Sequence, residues 1–309
     1  MILCLGTTPA LQRVMVFERV NVGAVNRAVQ VIEAPAGKSI NVARVLRKLG
    51  RVPMATGFLG GDRGQLIRRL LDEDLVPHDF VEVKPVTRMC VTVIDRGVPS
   101  HTELVEESAP VAPADYAALI ARMFKLLVKS RILVLSGTLA PGDQPGFYAD
   151  CIKIATKLKI PTILDATGEP LRLALSQHPK VVKPNRAELE ATLGEKFNDQ
   201  PAVLRGMHRL IELGAENAVV TLGPDGALAT DGRRNWRIHI PPVVPVNSIG
   251  SGDAFAAGLA SALYGSGQLP DIARLGAVCG AANALTLMAG QIEYKDLGDF
   301  QLKVRVDAL

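Results

Sequence analysis

Short hydrophobic runs alternate with helically spaced apolar positions along most of the chain. "ILCLG" (2–6), "MATGFLG" (54–60), "RILVLSG" (131–137), "IPTILDA" (160–166), "KVVKPN" (180–185) and "NAVVTLG" (217–223) read as buried strands. Between them, Ile40, Ala43, Val45, Leu46 and Leu49 fall on one helical face of a segment ending at Gly50. Residues 63–74, 144–158 and about 201–213 repeat that spacing. A β-then-α rhythm of this kind predicts an α/β fold: a doubly wound, mostly parallel sheet flanked by helices, as one domain over residues 1–309. Such sheets hold ligands beyond the carboxyl ends of their strands.

Two segments break the rhythm. Residues 12–34 and 87–105 are strand-like with turn signals and no helix inside them. They predict either a small sheet forming a lid over a pocket or an edge extension of the main sheet. The helices expected at 252–264 and 270–288 are rich in Ala and Gly on nearly all sides, which predicts burial and close packing.

Composition adds exclusions. No apolar run approaches the roughly 20 residues that cross a bilayer, and the start is too short for a signal segment. The expectation is a protein of the cytoplasm with no membrane partner. A net charge of +4 is dispersed, and aromatic content of 4% leaves little for base stacking, which argues against nucleic acid. The four cysteines lie far apart with no CxxC, so buried free thiols are expected. None of the five histidines has a metal-ligand spacing.

The densest chemistry lies in "VNSIGSGDAFAAG" (246–258). A helix preceded by Gly250, Ser251 and Gly252 exposes unpaired N–H groups at its positive end, and glycine lets an anion approach them. Asp253 beside that cradle would repel an anion, unless it accepts a proton while the cradle holds developing charge. That division of labour is the one phosphoryl transfer requires. The plain alternative is an N-cap aspartate. A helix start also lowers a carboxylate's pKa, which would leave Asp253 a weak base.

Elsewhere, Gly37-Lys38-Ser39 imitates a Walker motif, but Ile32 stands where its first glycine belongs. A glycine turn before a helix remains, with Lys38 and Asn41 in its first turns. "KPNRAEL" (183–189) puts Lys183 and Asn185 at a strand end with Glu188 three residues on. This is either a capping box or a polar pair facing the waters of Mg²⁺. "TLGPDGA" (221–227) reads as a hairpin turn.

Taken together and in this order, these stretches resemble the PfkB, ribokinase-like carbohydrate kinases. "AGKSINVARVLRKLG" is similar to the family's amino-terminal signature and "VNSIGSGDAFAAG" to its carboxyl-terminal one, with "LSGTLAPG", "ILDATGE", "KPNRAEL" and "TLGPDGAL" between. "TRMCVTV" and the lysine of "AGKSINVAR" point to the 1-phosphofructokinase/tagatose-6-phosphate kinase branch. The resemblance implies an ATP- and Mg²⁺-dependent kinase acting on a sugar or sugar phosphate. It implies Asp253 as base, with Gly250, Ser251 and Gly252 as the anion hole. Asn185 and Glu188 would organise Mg²⁺ through water, and Lys183 would face the nucleotide phosphates. Thr221, Gly223 and Gly226 would form the nucleotide turn, with Asn283 beside adenine. Gln12, Gly37, Lys38 and Asn41 would bind the acceptor, and Arg88 a phosphate already on it. The two strand-like segments become a lid that also joins a homodimer.

Four positions depart from the family pattern. Thr8 and Gln12 stand where the branch has Asn and Asp, and Ala36 and Ser39 where it has Gly. Gln12 can bond hydroxyls only as a neutral amide. The acceptor thus stays open between a ketose phosphate and an unphosphorylated sugar or nucleoside. A non-catalytic ligand-binding protein on the same fold is the third reading.

Overall fold

The computed structural model describes residues 1–98, 100–142 and 144–309. In chain order the elements begin β1 (Ile2–Gly6), β2 (Ala10–Phe17), β3 (Gln30–Ala36), α1 (Lys38–Lys48), β4 (Pro53–Leu59), α2 (Gly61–Glu73) and β5 (Val81–Glu82). They continue with β6 (Arg88–Asp95), β7 (Ser100–Val105), α3 (Pro113–Leu127), β8 (Ile132–Ser136), α4 (Phe147–Lys157), β9 (Thr162–Asp165), α5 (Gly168–Leu175) and β10 (Val181–Val182). Last come α6 (Arg186–Leu193), α7 (Gln200–Glu212), β11 (Ala218–Thr221), β12 (Ala227–Thr230), β13 (Asn235–His239), α8 (Ser251–Tyr264), α9 (Leu269–Asn283), α10 (Tyr294–Lys303) and β14 (Arg305–Ala308).

The large sheet has ten strands in the order β14-β13-β12-β11-β10-β9-β8-β1-β4-β5. From β11 to β5 every pairing is parallel, whereas β12, β13 and β14 form an antiparallel edge. Continuous apolar runs are what a parallel strand covered on both faces needs. β1 shows it: Ile2 and Cys4 enter the core beneath α1, α2, α8 and α9, and Leu3 and Leu5 the core beneath α3, α4 and α7. The Ala/Gly-rich α8 and α9 approach so closely that a Cβ on Gly258 would stand 2.7 Å from the Cα of Gly276. All four cysteines are buried and free.

Segments 12–34 and 87–105 do not extend the large sheet. They form a separate sheet in the order β3-β2-β6-β7, with β2 and β6 parallel and both outer pairs antiparallel. Val14, Val16, Ala34, Ile94 and Met288 give it its own small core. The last expected helix is shorter than its pattern. α9 stops at Asn283, because the Thr286 hydroxyl bonds the Asn283 carbonyl at 2.8 Å and turns the chain away. No helix among the described residues is long and apolar enough to cross a membrane.

Candidate active site

The parallel strands deliver polar residues to one end of the sheet. Asp165 closes β9, Lys183 follows β10, and Thr221 closes β11. Over the same end lie the starts of α1 and α8 and the inner face of the lid, enclosing a cavity of about 860 Å³.

α8 starts from Gly250, whose φ of 84° is the left-handed geometry glycine tolerates. A Cβ there would also stand 2.6 Å from the Cβ of Ala289. Gly250, not Asp253, is the cap residue, so the plain capping account of Asp253 does not hold. The Ser251 N–H donates to the Ser248 carbonyl at 3.2 Å and the Ala254 N–H to Gly250 at 2.9 Å. Among the described residues this leaves the N–H groups of Gly250, Gly252 and Asp253 without a backbone partner. Of the expected Gly250-Ser251-Gly252 trio, only the Ser251 N–H is taken, and the Asp253 N–H joins the other two.

Asp253 is 5% exposed and faces the cavity, and its Oδ2 accepts a 2.7 Å hydrogen bond from Asn41 Nδ2. Burial pushes its pKa from the ordinary 3.8 to about 6. Lys38 opposes that rise and Asp165 adds to it, with Asn41 and Lys183 pulling down more weakly. The helix-start argument predicted a depressed pKa. Desolvation of a carboxylate wins here, and the group is a stronger base than the sequence suggested.

Asp165, an acid closing an apolar strand to which the sequence patterns assign no role, organises the cations. Fully buried, it holds Lys183 Nζ at 3.1 Å through Oδ2 and Lys38 Nζ at 3.3 Å through Oδ1. Burial works to raise its pKa, but the charges of Lys183 and Lys38 outweigh that and hold it below the usual carboxylate value. Lys38 also meets Glu188 Oε1 at 3.3 Å. Its pKa is raised, chiefly by the charge of Asp165 and against the effect of burial. Two carboxylates engage its ammonium, and Lys38 also lines the cavity. Lys183 Nζ lies 3.6 Å from where a Cβ on Gly252 would be, beside the cradle.

Asn185 and Glu188 do form a capping box: Asn185 Oδ1 accepts from the Glu188 N–H, and Glu188 Oε2 from the Asn185 N–H, both at 2.8 Å. Both also line the cavity. No cluster of three His, Cys, Asp or Glu side chains suits a metal ion among the described residues. With these oxygens occupied, the pair fits Mg²⁺ through intervening water and does not fit direct coordination.

Thr221, Gly223 and Gly226 reach the cavity at the β11–β12 hairpin, where Gly223–Asp225 makes a single 3₁₀ turn. Asn283 does not reach it. The side chain is fully buried, donates to the Ile249 carbonyl at 3.0 Å and accepts from the Gly290 N–H at 2.9 Å. With both amide atoms bonded to the loops that frame α8, it has nothing to offer a base. The wall expected to carry it is apolar instead, made of Ile240, Val243, Pro245, Ala277, Ala281 and Ala284.

On the lid side, Gln12 and Gly37 line the cavity beside the small side chains of Ala10 and Ala36. Gln12 Nε2 donates to Thr92 Oγ1 at 2.6 Å. Asn41 keeps its Oδ1 buried and unpartnered. Arg88 sends Nη1 to the Glu106 carbonyl (3.3 Å) and Nη2 to the Thr8 carbonyl (3.2 Å), leaving Nε buried and unpartnered. Cys90 and Glu103 also face the cavity, and neither was foreseen. Their signal was the alternation of β6 and β7, which becomes readable only once the pairing register is known.

Solved structures share this arrangement of sheets. Phosphofructokinase-2 from Escherichia coli in complex with potassium superposes with a TM-score of 0.90 at 27% identity, covering 98% of each chain. The same enzyme in complex with fructose-6-phosphate gives 0.88 at 28% identity, over 97% of this chain and 98% of that one. A possible 1-phosphofructokinase from Thermotoga maritima gives 0.92 at 23% identity, over 100% and 99%, and bears on the fold alone. The model of the pfkB family carbohydrate kinases matches residues 1–292. The chain thus belongs to the pfkB family of carbohydrate kinases and is a phosphotransferase with an alcohol group as acceptor.

Proposed function

We propose that the chain transfers the γ-phosphoryl group of ATP to a hydroxyl of a ketose phosphate of the fructose 1-phosphate or tagatose 6-phosphate type. One observation carries this reading: a buried carboxylate with a pKa of about 6, held by Asn41 beside three free N–H groups at the start of α8. Asn41 occupies Oδ2 of Asp253, so Oδ1 is the oxygen available to orient the acceptor hydroxyl and take its proton. The Gly252 and Asp253 N–H groups and Lys183 lie where they can hold negative charge on the migrating group. Asp165 keeps Lys183 and Lys38 in place. Glu188 and Asn185 would steady the waters of Mg²⁺, which supplies charge neutralisation to the nucleotide phosphates when bound.

Arg88 is the cation in this site not engaged by a carboxylate, which supports a phosphate on the acceptor. The E. coli phosphofructokinase-2 was solved with fructose-6-phosphate, an acceptor of that class. A second reading, an unphosphorylated sugar or nucleoside, draws on the Arg88 bonds to two backbone carbonyls and on the neutral Gln12. ADP release measured across ketose phosphates, free ketoses and nucleosides separates the two. Turnover confined to phosphorylated sugars supports the first, and equal turnover of the free sugars overturns it. Ligand binding with no ADP release from any of them would leave only a binding protein.

The assembly we infer is a homodimer through the lid. Val31 (52% exposed) and Leu104 (56%) on its outer strands favour that surface. Light scattering of Leu104→Glu tests it, a monomer being the expected result.

A further inference from the structure

The inner face of the lid carries a charge that the chemistry above does not use. Strand register sets Thr92 of β6 opposite Glu103 of β7, and the Thr92 hydroxyl already receives the Gln12 amide. Gln12 pairs with Cys90, one register step from Thr92, so Gln12, Thr92 and Glu103 lie on a diagonal across β2, β6 and β7, on the face that also presents Arg88. Glu103 faces the cavity, and the cations that reach its carboxylate, Arg88 and His101, do so only through space.

Its strand is pinned to the site. Ile94 pairs with His101, so His101 shares the inner face of β7 with Glu103. The His101 ring meets the Ser248 hydroxyl through Nε2 at 3.2 Å. Ser248 lines the cavity two residues before Gly250. This contact ties the lid's edge strand to the loop that leads into the anion cradle.

A polyol must be held by strong hydrogen-bond acceptors, because its hydroxyls lose water on entry. Gln12 gives one amide N–H to Thr92, and the acceptor it offers is a neutral carbonyl. Asp253 is committed to the reacting hydroxyl. Among the described lid residues lining the cavity, Glu103 is the remaining carboxylate. Arg88 stands four residues before Thr92 on β6, roughly 13 Å along the strand. The lid therefore offers a cation at its base and an anion further out, a spacing suited to an acceptor charged at one end and hydroxylated at the other.

We propose that Glu103 is a specificity-determining residue that binds acceptor hydroxyls, with His101 and Ser248 holding its strand in position. The proposal rests on the kinase reading. Glu103→Gln should raise KM for the acceptor by about 10- to 100-fold, with kcat and KM for ATP changed by less than about twofold. Moving the carboxylate across the same face, by adding Gln12→Asp to Glu103→Gln, should recover acceptor binding. His101→Ala should raise the acceptor KM without changing that for ATP, and His101→Gln, which keeps a bond to Ser248, should not. An acceptor KM unchanged in Glu103→Gln overturns the proposal, as does an equal rise in the KM for ATP. Calorimetric titration of the accepted sugar into the wild type and Glu103→Gln reads binding without turnover. Loss of binding in the variant, in a chain that nonetheless released no ADP, would sink the kinase reading and uphold Glu103. Equal binding by both would sink Glu103 alone.

Discussion

The two sides of the cavity are built on different principles. On the donor side, each charged group is held by a polar or charged partner: buried Asp165 by Lys183 and Lys38, buried Asp253 by Asn41, and half-buried Glu188 by Asn185. These groups stand on strand ends and helix starts of the large sheet, whose cores cannot shift without cost. On the acceptor side, small and neutral residues alternate with two charges, Arg88 and Glu103, that no carboxylate or ammonium pairs at bonding distance. That wall is a four-stranded sheet with a core of a few side chains. On the proposed reading, chemistry is placed on the large packed cores and recognition on the small sheet.

If that contrast is right, the largest effect comes from the donor side. Asp253→Asn should lower kcat by ~10²–10⁴. An ionised Asp253 with a raised folded-state pKa costs stability above about pH 6, so the amide should unfold at the same temperature or higher. A kcat near normal, or a marked fall in the melting temperature, would break the comparison at its strongest point. Next, Asp165→Asn strips the partner from buried Lys183 and half the support from Lys38. Denaturant unfolding should show a loss on the order of 3 kcal/mol, the usual result of orphaning a buried charge. A loss within noise would mean that the donor side is not held as described.

A smaller effect is expected in the pH profile. Asp253 is protonated below about pH 6 and cannot then accept a proton, so kcat should decline on the acid side about tenfold per unit. A flat profile down to pH 5 would remove Asp253 as the titrating base. On the acceptor side, Arg88→Ala should raise KM for a phosphorylated acceptor about tenfold and leave the KM for ATP alone. The smallest change belongs to the nucleotide base. On the proposed reading it would rest on the apolar wall of Ile240, Val243, Pro245, Ala277, Ala281 and Ala284, whose side chains offer no polar group to choose with. GTP should therefore replace ATP within about 100-fold in kcat/KM, and stricter discrimination would show that backbone groups do the choosing.

The same contrast explains what the sequence made readable. Donor-side residues sit in short contiguous strings, because a strand end, a turn and a helix start are neighbours in the chain. Lys183, Asn185 and Glu188 lie within six residues, and Gly250 to Asp253 are consecutive. Asp165 could have been found the same way, as an acid closing an apolar strand. Acceptor-side residues come from β2, β3, β6 and β7, and their neighbourhood depends on register. Nothing in "SHTELV" reveals that Glu103 stands across from Thr92 until β6 and β7 are paired. Asn283 misled for a related reason. A polar residue ending an apolar helix can face a ligand or satisfy buried loops, and only the partners Ile249 and Gly290 decide. The direction of the Asp253 shift was hidden too, since burial depends on the lid and on α1 as much as on α8.

The four lid strands share no hydrogen-bonded ladder with the ten-stranded sheet. Apart from the few that pack on Met288, their inward-pointing side chains are linked to the larger scaffold mainly through the cavity they line. On the proposed reading, a change of acceptor would be written in that thin wall with few changes elsewhere.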